Sequence, residues 1–284
     1  MSVVKKLKGD FSQEFQRLVS EPVERIAKQK DNLRKKAKAV NTIVADARAV
    51  IESKLGATNL SKQDELIILE YCTTVANLEY RNKVWPYEYM ALSRRMGELW
   101  ERFCKSAWEN PARPGVKRVG APNFTEVMAN IHRRVEPSVP KGIKDDFNNL
   151  IGLIDPINMR EDEVFERDGK LCVIDFKSGF GSNEKGNTLR LLAVGRAYKL
   201  YDPEVSLMFL VRQKQNNNYL NRIRSSKLWE VHTGADAYEK IDELTGSNIS
   251  KLRGEMIDFQ NDLTGEFWGS LGSEIDEVRK YFDW

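Results

Sequence analysis

Leu153-Ile154-Asp155 closes one apolar run, and Leu171-Cys172-Val173-Ile174-Asp175-Phe176-Lys177 closes another. Nineteen residues separate the two aspartates, joined by an acidic, turn-rich connection from Met159 to Gly169. This spacing predicts a β-hairpin whose strands end on two carboxylates side by side, with the Lys177 ammonium next to them. Two hard oxygen donors and a lysine suit Mg²⁺ that polarises a phosphate and activates a water. An Asp-x-Lys string alone carries little weight in a chain with 31% charged residues. The apolar strand before it, the second aspartate and the segment after it give it weight.

The pattern resembles the PD-(D/E)XK nuclease superfamily, the fold of most type II restriction endonucleases. Asp155 stands at the first acid, and Asp175-Phe176-Lys177 stands at the D-x-K half. Pro156 follows the aspartate instead of preceding it, but proline contributes no ligand. The resemblance runs best over residues 91–245, a little over half the chain. It implies an α/β fold: a central mixed β-sheet flanked by helices, preceded here by an N-terminal helical arm. It implies a Mg²⁺-dependent type II restriction endonuclease that hydrolyses duplex DNA at a short specific sequence. Asp155, Asp175 and the backbone carbonyl of Phe176 would hold Mg²⁺, with Mn²⁺ or Ca²⁺ as substitutes. Lys177 would orient the attacking water or stabilise the charged transition state. A homodimer would supply the second site for the second strand. Two other classes stay open: a structure-specific or repair nuclease of the same fold, and a non-catalytic DNA-binding protein.

Composition fits that frame. A 284-residue chain with 41% hydrophobic residues can bury a real core. No apolar run reaches membrane-spanning length, and no signal peptide is apparent, so no membrane partner is expected. Cys72, Cys104 and Cys172 are odd in number and sit in apolar stretches, which reads as buried reduced thiols and a cytoplasmic protein. Only His132 and His232 are present, which argues against a histidine-rich metal centre.

The net charge of +3 hides an uneven distribution. Residues 25–38 hold seven basic groups (Arg25, Lys28, Lys30, Arg34, Lys35, Lys36, Lys38) against Asp31 alone. Residues 254–284 hold eight acids against Arg279 and Lys280. Either these are solvated helix faces or the basic one meets a polyanion, with Lys35 and Lys36 as candidate DNA contacts.

Residues 1–90 read as a helical arm for dimerisation or DNA clamping, and 91–284 as the nuclease core with an acidic helical tail at its rim. In the arm, Leu33, Ala37, Val40, Val44, Ala47 and Ile51 alternate by four and three, a seam for one partner helix. Ser61 is placed to cap a second helix that ends at Trp85-Pro86. In the helix over residues 88–108, Glu101 lies on a shoulder of the apolar stripe with Gly97, and Glu98 on the opposite side. In related nucleases a helix before the metal-binding strands often carries such a glutamate, so Glu101 is a candidate acid; it reads equally as a surface residue. Residues 109–124 read as an exposed basic loop, with Arg113, Lys117 and Arg118 as candidate base or phosphate contacts. After Lys177, Asn187 or Thr188 is placed to cap a helix carrying Lys185 and Arg190. Lys185, Asn187 and Arg190 would meet backbone phosphates there. Residues 204–211 read as a buried strand, and residues 213–219 as a polar stretch that is either an adenine reader or an ordinary loop.

Overall fold

The computed structural model describes residues 2–154, 161–179, 184–213 and 218–284. Four helices come first: α1 (Val3–Lys28), α2 (Leu33–Glu52), α3 (Lys62–Val84) and α4 (Tyr89–Lys105). Then follow β1 (Val116–Arg118), α5 (Phe124–Val135), α6 (Lys144–Ile154), β2 (Glu163–Arg167), β3 (Lys170–Lys177) and α7 (Lys185–Tyr201). The chain continues through β4 (Ser206–Val211), α8 (Asn218–Ser226), β5 (Glu230–Thr233), α9 (Ala235–Thr245) and α10 (Ile249–Met256). Three short helices close it: α11 (Phe259–Asp262), α12 (Gly265–Ser270) and α13 (Ile275–Val278). The chain divides into two compact units, Met1–Arg113 with Tyr238–Trp284, and Pro114–Ala237. Residues 91–113 and 238–284, expected with the sheet, thus group with the N-terminal helices.

The first unit is built around α3. Helices α1, α2, α4, α10 and α12 all pack on it. It is buried on every side, from Leu66, Ile67, Ile68 and Leu69 to Tyr71 and Cys72. A helix in that position has no solvent face for its polar residues, so each needs an internal partner. Gln63 donates to the Ala107 carbonyl at 2.7 Å, and Glu65 accepts from the Gly56 amide and the Thr58 hydroxyl. Glu70 is ion-paired with Arg48 at 3.1 Å and Arg102 at 3.3 Å. Ser61 caps α3 as expected, accepting from the Asp64 amide at 3.0 Å.

The seam on α2 is also as expected: Ala37, Val40, Val44, Ala47 and Ile51 are buried, and only Leu33 at its start is half exposed. It faces two neighbours, α1 and α3, and not a single partner helix. The tail does not lie at a rim. Phe259, Phe267 and Trp284 are buried, and the Phe259 ring packs edge-on against Tyr71 of α3 at 5.2 Å and Trp284 at 5.0 Å.

The second unit is α/β. Its five-stranded mixed sheet has the order β1-β2-β3-β4-β5. The first three strands run antiparallel in sequence, and β3, β4 and β5 run parallel. Asp168-Gly169 makes the two-residue turn between β2 and β3, with φ of 52° and 79°. Both residues need positive φ in a tight hairpin of this hand, which Asp-Gly supplies at little cost. On one face Val173, Leu207, Phe209 and Val211 pack with Leu191, Val194 and Tyr198 of α7, Val127 and Ile131 of α5, and Leu220 and Ile223 of α8. Ile174, Phe176, Met208 and Leu210 on the other face are buried too, which is why β3 and β4 read as unbroken apolar runs.

Two expectations fail here. The basic segment 109–124 is not all loop: Val116–Arg118 pairs with β2 as an edge strand. The apolar run ending at Leu153-Ile154 is the end of helix α6, not a strand. Asp145 and Asp146 in its first turn suit a helix N-terminus, and Phe147, Leu150, Ile151 and Ile154 recur at helical spacing. The hairpin that carries Asp175 is therefore β2–β3, with its own pair of ends.

One glycine fixes how α7 sits on the sheet. At Gly195 a Cβ would run into the indole nitrogen of Trp229, which donates to the Leu191 carbonyl at 2.7 Å. Gly195→Ala is expected to destabilise by about 1–3 kcal/mol through overpacking, even though alanine is the better helix former. Urea unfolding checks this. The penalty should shrink in a Trp229→Phe background, and an equal penalty in both backgrounds would place the strain elsewhere.

Candidate functional site

Strand β3 delivers Asp175 and Lys177 two residues apart, so both project from one face of its C-terminal end. Asp175 is 3% exposed. That end adjoins the parallel strand β4, in register Asp175 with Phe209 and Lys177 with Val211. In open α/β sheets the crevice beyond the carboxyl ends of parallel strands is where ligands are held.

The hairpin register brings a second acid to Asp175. Glu163 pairs with Ile174, so the residue before it, Asp162, comes level with Asp175 at the strand mouth. Its Oδ2 accepts from the Phe176 amide at 2.7 Å. Glu161 follows behind: it is buried, its Oε2 accepts from the Tyr198 hydroxyl of α7 at 3.2 Å, and its Oε1 has no hydrogen-bond partner among the described residues. From the first turns of α7, Arg190 donates to Asp175 Oδ2 at 2.5 Å, and its Nε donates to Asn187 Oδ1 at 3.1 Å. Lys177 is 3.7 Å from the Glu184 carboxylate, at the start of the same helix.

Three carboxylates thus gather where Arg190 enters. Burial, followed by the charge of Asp162, pushes the Asp175 carboxyl up to about 7, with Arg190 pulling the other way. Burial likewise raises Glu161, although the Tyr198 hydrogen bond opposes it. Burial works against the Arg190 charge, but Asp175 outweighs it and holds the guanidinium protonated. The raised Asp175 carboxyl and the orphaned Glu161 oxygen fit an oxygen-liganded divalent cation. Among the described residues no three acidic, histidine or cysteine side chains converge closely enough to cage a metal alone. An ion held here would take Asp162 and Asp175 with backbone oxygen and water, the manner of Mg²⁺.

The other expected site residues are scattered. Asp155 lies outside the described residues. Glu101 is on α4 in the first unit, ion-paired with Lys105 at 2.5 Å, and Glu98 pairs with Arg94 and Arg95. Arg113, also in the first unit, donates to the Glu243 carbonyl. Lys117 is exposed on β1, but Arg118 grips Glu163 through two bonds of 2.7 and 2.6 Å. Lys185 is exposed at the first turn of α7; Asn187 does not cap it, since the N-cap is Glu184. Lys35 is exposed on α2, and Lys36 donates to the Ala27 carbonyl at 2.7 Å. In the polar stretch 213–219, residues 214–217 lie outside the described residues, and Asn218 and Tyr219 begin α8.

Sequence reasoning missed Asp162, Glu161, Glu184 and Tyr198. The signal for the first two was present in Asp168-Gly169. Counting outward from that turn, Arg167 meets Lys170 and Asp162 meets Asp175.

Comparison with protein-family models, with curated proteins and with solved structures finds no match for this chain.

The raised Asp175 carboxyl has a signed consequence. In the folded chain it keeps its proton up to about 7, whereas its ordinary value is 3.8. Between those values the native state binds more protons, so Asp175 contributes stability below pH 3.8 that is lost as pH rises through 7. Asp175→Asn cannot ionise. In EDTA its melting temperature relative to wild type should rise by several degrees between pH 5.5 and pH 8. A difference that stays flat with pH would show that Asp175 is not a strained acid.

Proposed function

We propose that the second unit is a Mg²⁺-dependent nuclease of the PD-(D/E)XK type that hydrolyses phosphodiester bonds in duplex DNA. The carrying observation is the pair Asp162 and Asp175 at the mouth of one hairpin, where the charge of Asp162 raises the cost of ionising Asp175, with Lys177 on the same strand face. A mixed sheet flanked by helices, with the helix after the D-x-K strand packed on it, is what that fold requires. Asp162 takes the role of first acid that the sequence assigned to Asp155, since the hairpin register puts it opposite Asp175. Asp175 is the second acid and the Phe176 carbonyl a third donor. Bound Mg²⁺ supplies a polarised phosphate oxygen and a water of lowered pKa.

The chain's own residues do the rest. Lys177, tethered to Glu184, holds its ammonium at the open strand end, where it orients the attacking water or offsets negative charge growing on phosphorus. Arg190 is the counter-ion of Asp175 in the free protein, and release of that carboxylate frees a bidentate donor for a phosphate. Asn187 keeps the guanidinium in place. The narrower reading is a type II restriction endonuclease working as a homodimer, because cutting both strands takes two sites.

One observation favours a second reading. Arg190 already satisfies an oxygen of Asp175, so the pair would serve equally as a structural ion pair in a DNA-binding protein without catalysis.

Cleavage decides between them. Plasmid and phage DNA incubated with the purified chain should yield discrete fragments with Mg²⁺ and none with EDTA. Asp162→Ala and Asp175→Ala should lose cleavage below detection, and Lys177→Ala should lose about 10²–10⁴-fold. Wild-type activity in Asp162→Ala with none in Asp155→Ala would return the first acid to Asp155. Intact duplex under every condition would favour the second reading, and a smear would indicate a non-specific or repair nuclease.

A further inference from the structure

The tip of the α1–α2 hairpin carries charge in a place where the helices themselves gain nothing from it. Helix α1 ends at Lys28, Gln29 caps it, and α2 opens at Leu33 under an Asn32 cap whose side chain accepts from the Lys35 amide. Seven basic residues, Arg25 to Lys38, crowd this turn. Arg25 and Lys28 lie in the last turn of α1, where cations suit the negative end of a helix dipole. The first turn of α2 is the reverse case. It holds Arg34, Lys35 and Lys36 and no acid, although that end of a helix is already positive.

Among the described residues, only two of the seven have protein partners for their side chains. Lys36 donates across the turn to the Ala27 carbonyl, and Arg25 lies 3.6 Å from Glu21. The side chains of Lys28, Lys30, Arg34, Lys35 and Lys38 are exposed, and among the described residues they have neither ion pair nor hydrogen bond. Three cations at a helix N-terminus, with unpartnered neighbours, make a concentrated positive surface that the fold does not use. A linear polyanion uses it: its phosphates meet the ammonium and guanidinium groups, and the exposed helix N-terminus adds to the attraction.

We infer that the α1–α2 tip is a binding surface for the phosphate backbone of duplex DNA, separate from the residues that would cleave it. The choice of DNA among polyanions rests on the function proposed above. An anionic membrane fits less well, because a helix lying in a lipid interface needs an apolar face, and Leu33 is the only exposed large hydrophobic residue between Arg25 and Lys38. Contacts to phosphate alone carry no sequence information, so this surface contributes affinity and salt dependence and leaves any sequence preference unchanged.

The test is fluorescence anisotropy of a labelled 30-bp duplex with the full chain, in EDTA, over a KCl series. Lys30→Glu, Arg34→Glu and Lys35→Glu combined should weaken binding at least tenfold at low salt. The slope of log affinity against log salt should become shallower by about 2.7, since each phosphate no longer neutralised takes away about 0.9. The variant should melt no lower than wild type, because acids in the first turn of α2 agree with its dipole, so weaker binding would not be a folding defect. Unchanged affinity and slope in a folded variant would overturn the inference. So would wild-type binding to phosphatidylserine vesicles without salt-sensitive binding to the duplex. A wild type that binds duplex through the tip but never cuts it with Mg²⁺ would sink the proposed function and leave the tip standing.

Discussion

Everything at the candidate site follows from placing Asp175 inside the protein at the end of β3. A buried carboxylate has to be neutralised by a proton, a partner or a metal. The hairpin makes the problem worse, because its register sets Asp162 opposite and Glu161 next in line. Helix α7 supplies one guanidinium, from Arg190, and one hydroxyl, from Tyr198. Those two groups fix how α7 lies over the strand end, and Gly195 lets the same helix close on Trp229 further along. The apolar contacts that hold α7 therefore also hold the groups that meet the acids. Even so, burial and the neighbouring acid charge outweigh Arg190, and Asp175 titrates near neutrality as a result. An arrangement selected for stability alone would place a hydrophobic residue there or a second cation.

The first unit meets a comparable burden with paired charges. Glu70 sits on a helix buried on all sides, yet Arg48 and Arg102 flank it, and Arg48 is shared with Glu52 and Glu109. Each acid in that network has a guanidinium within reach. Burial still raises Glu70, so the pairing offsets the desolvation without removing it. The contrast with Asp175 lies in what stands next to each acid. Two arginines flank Glu70, whereas Asp175 has Arg190 on one side and the charge of Asp162 on the other.

Legibility in the sequence followed the strength of local signals. The four-three seam on α2 and the Ser61 cap were readable because each depends on residues a few positions apart. The strand over Leu171–Lys177 was readable for the same reason. The run ending at Leu153-Ile154 was misread as a strand because short apolar runs do not distinguish a strand from the last turn of a helix, and Asp155 after it lies outside the described residues. The residue across the hairpin from Asp175 was available from the Asp168-Gly169 turn, which sets the register of every pair above it. Tyr198 lies 37 residues from Glu161, and Arg190 lies 15 from Asp175, too far along the chain for periodicity to connect them. Their roles come from the packing of α7 on the sheet. The grouping of the acidic tail with the helical unit was likewise hidden, because its aromatic residues read as a rim until Phe259 is seen against Tyr71.

Two places in this chain break local rules in opposite directions. At the strand mouth, acids are buried beside one another and keep Asp175 from ionising at its ordinary pH. At the α2 N-terminus, cations crowd the end of a helix that is already positive. Both arrangements cost the free protein stability, although ordinary substitutions would relieve each one. Natural sequences keep such conflicts where a ligand resolves them. A divalent cation would supply what the first calls for, and a chain of phosphates what the second calls for. Duplex DNA accompanied by Mg²⁺ would bring both, so two unrelated electrostatic defects, in two different units of the chain, are compatible with the partner of the proposed function.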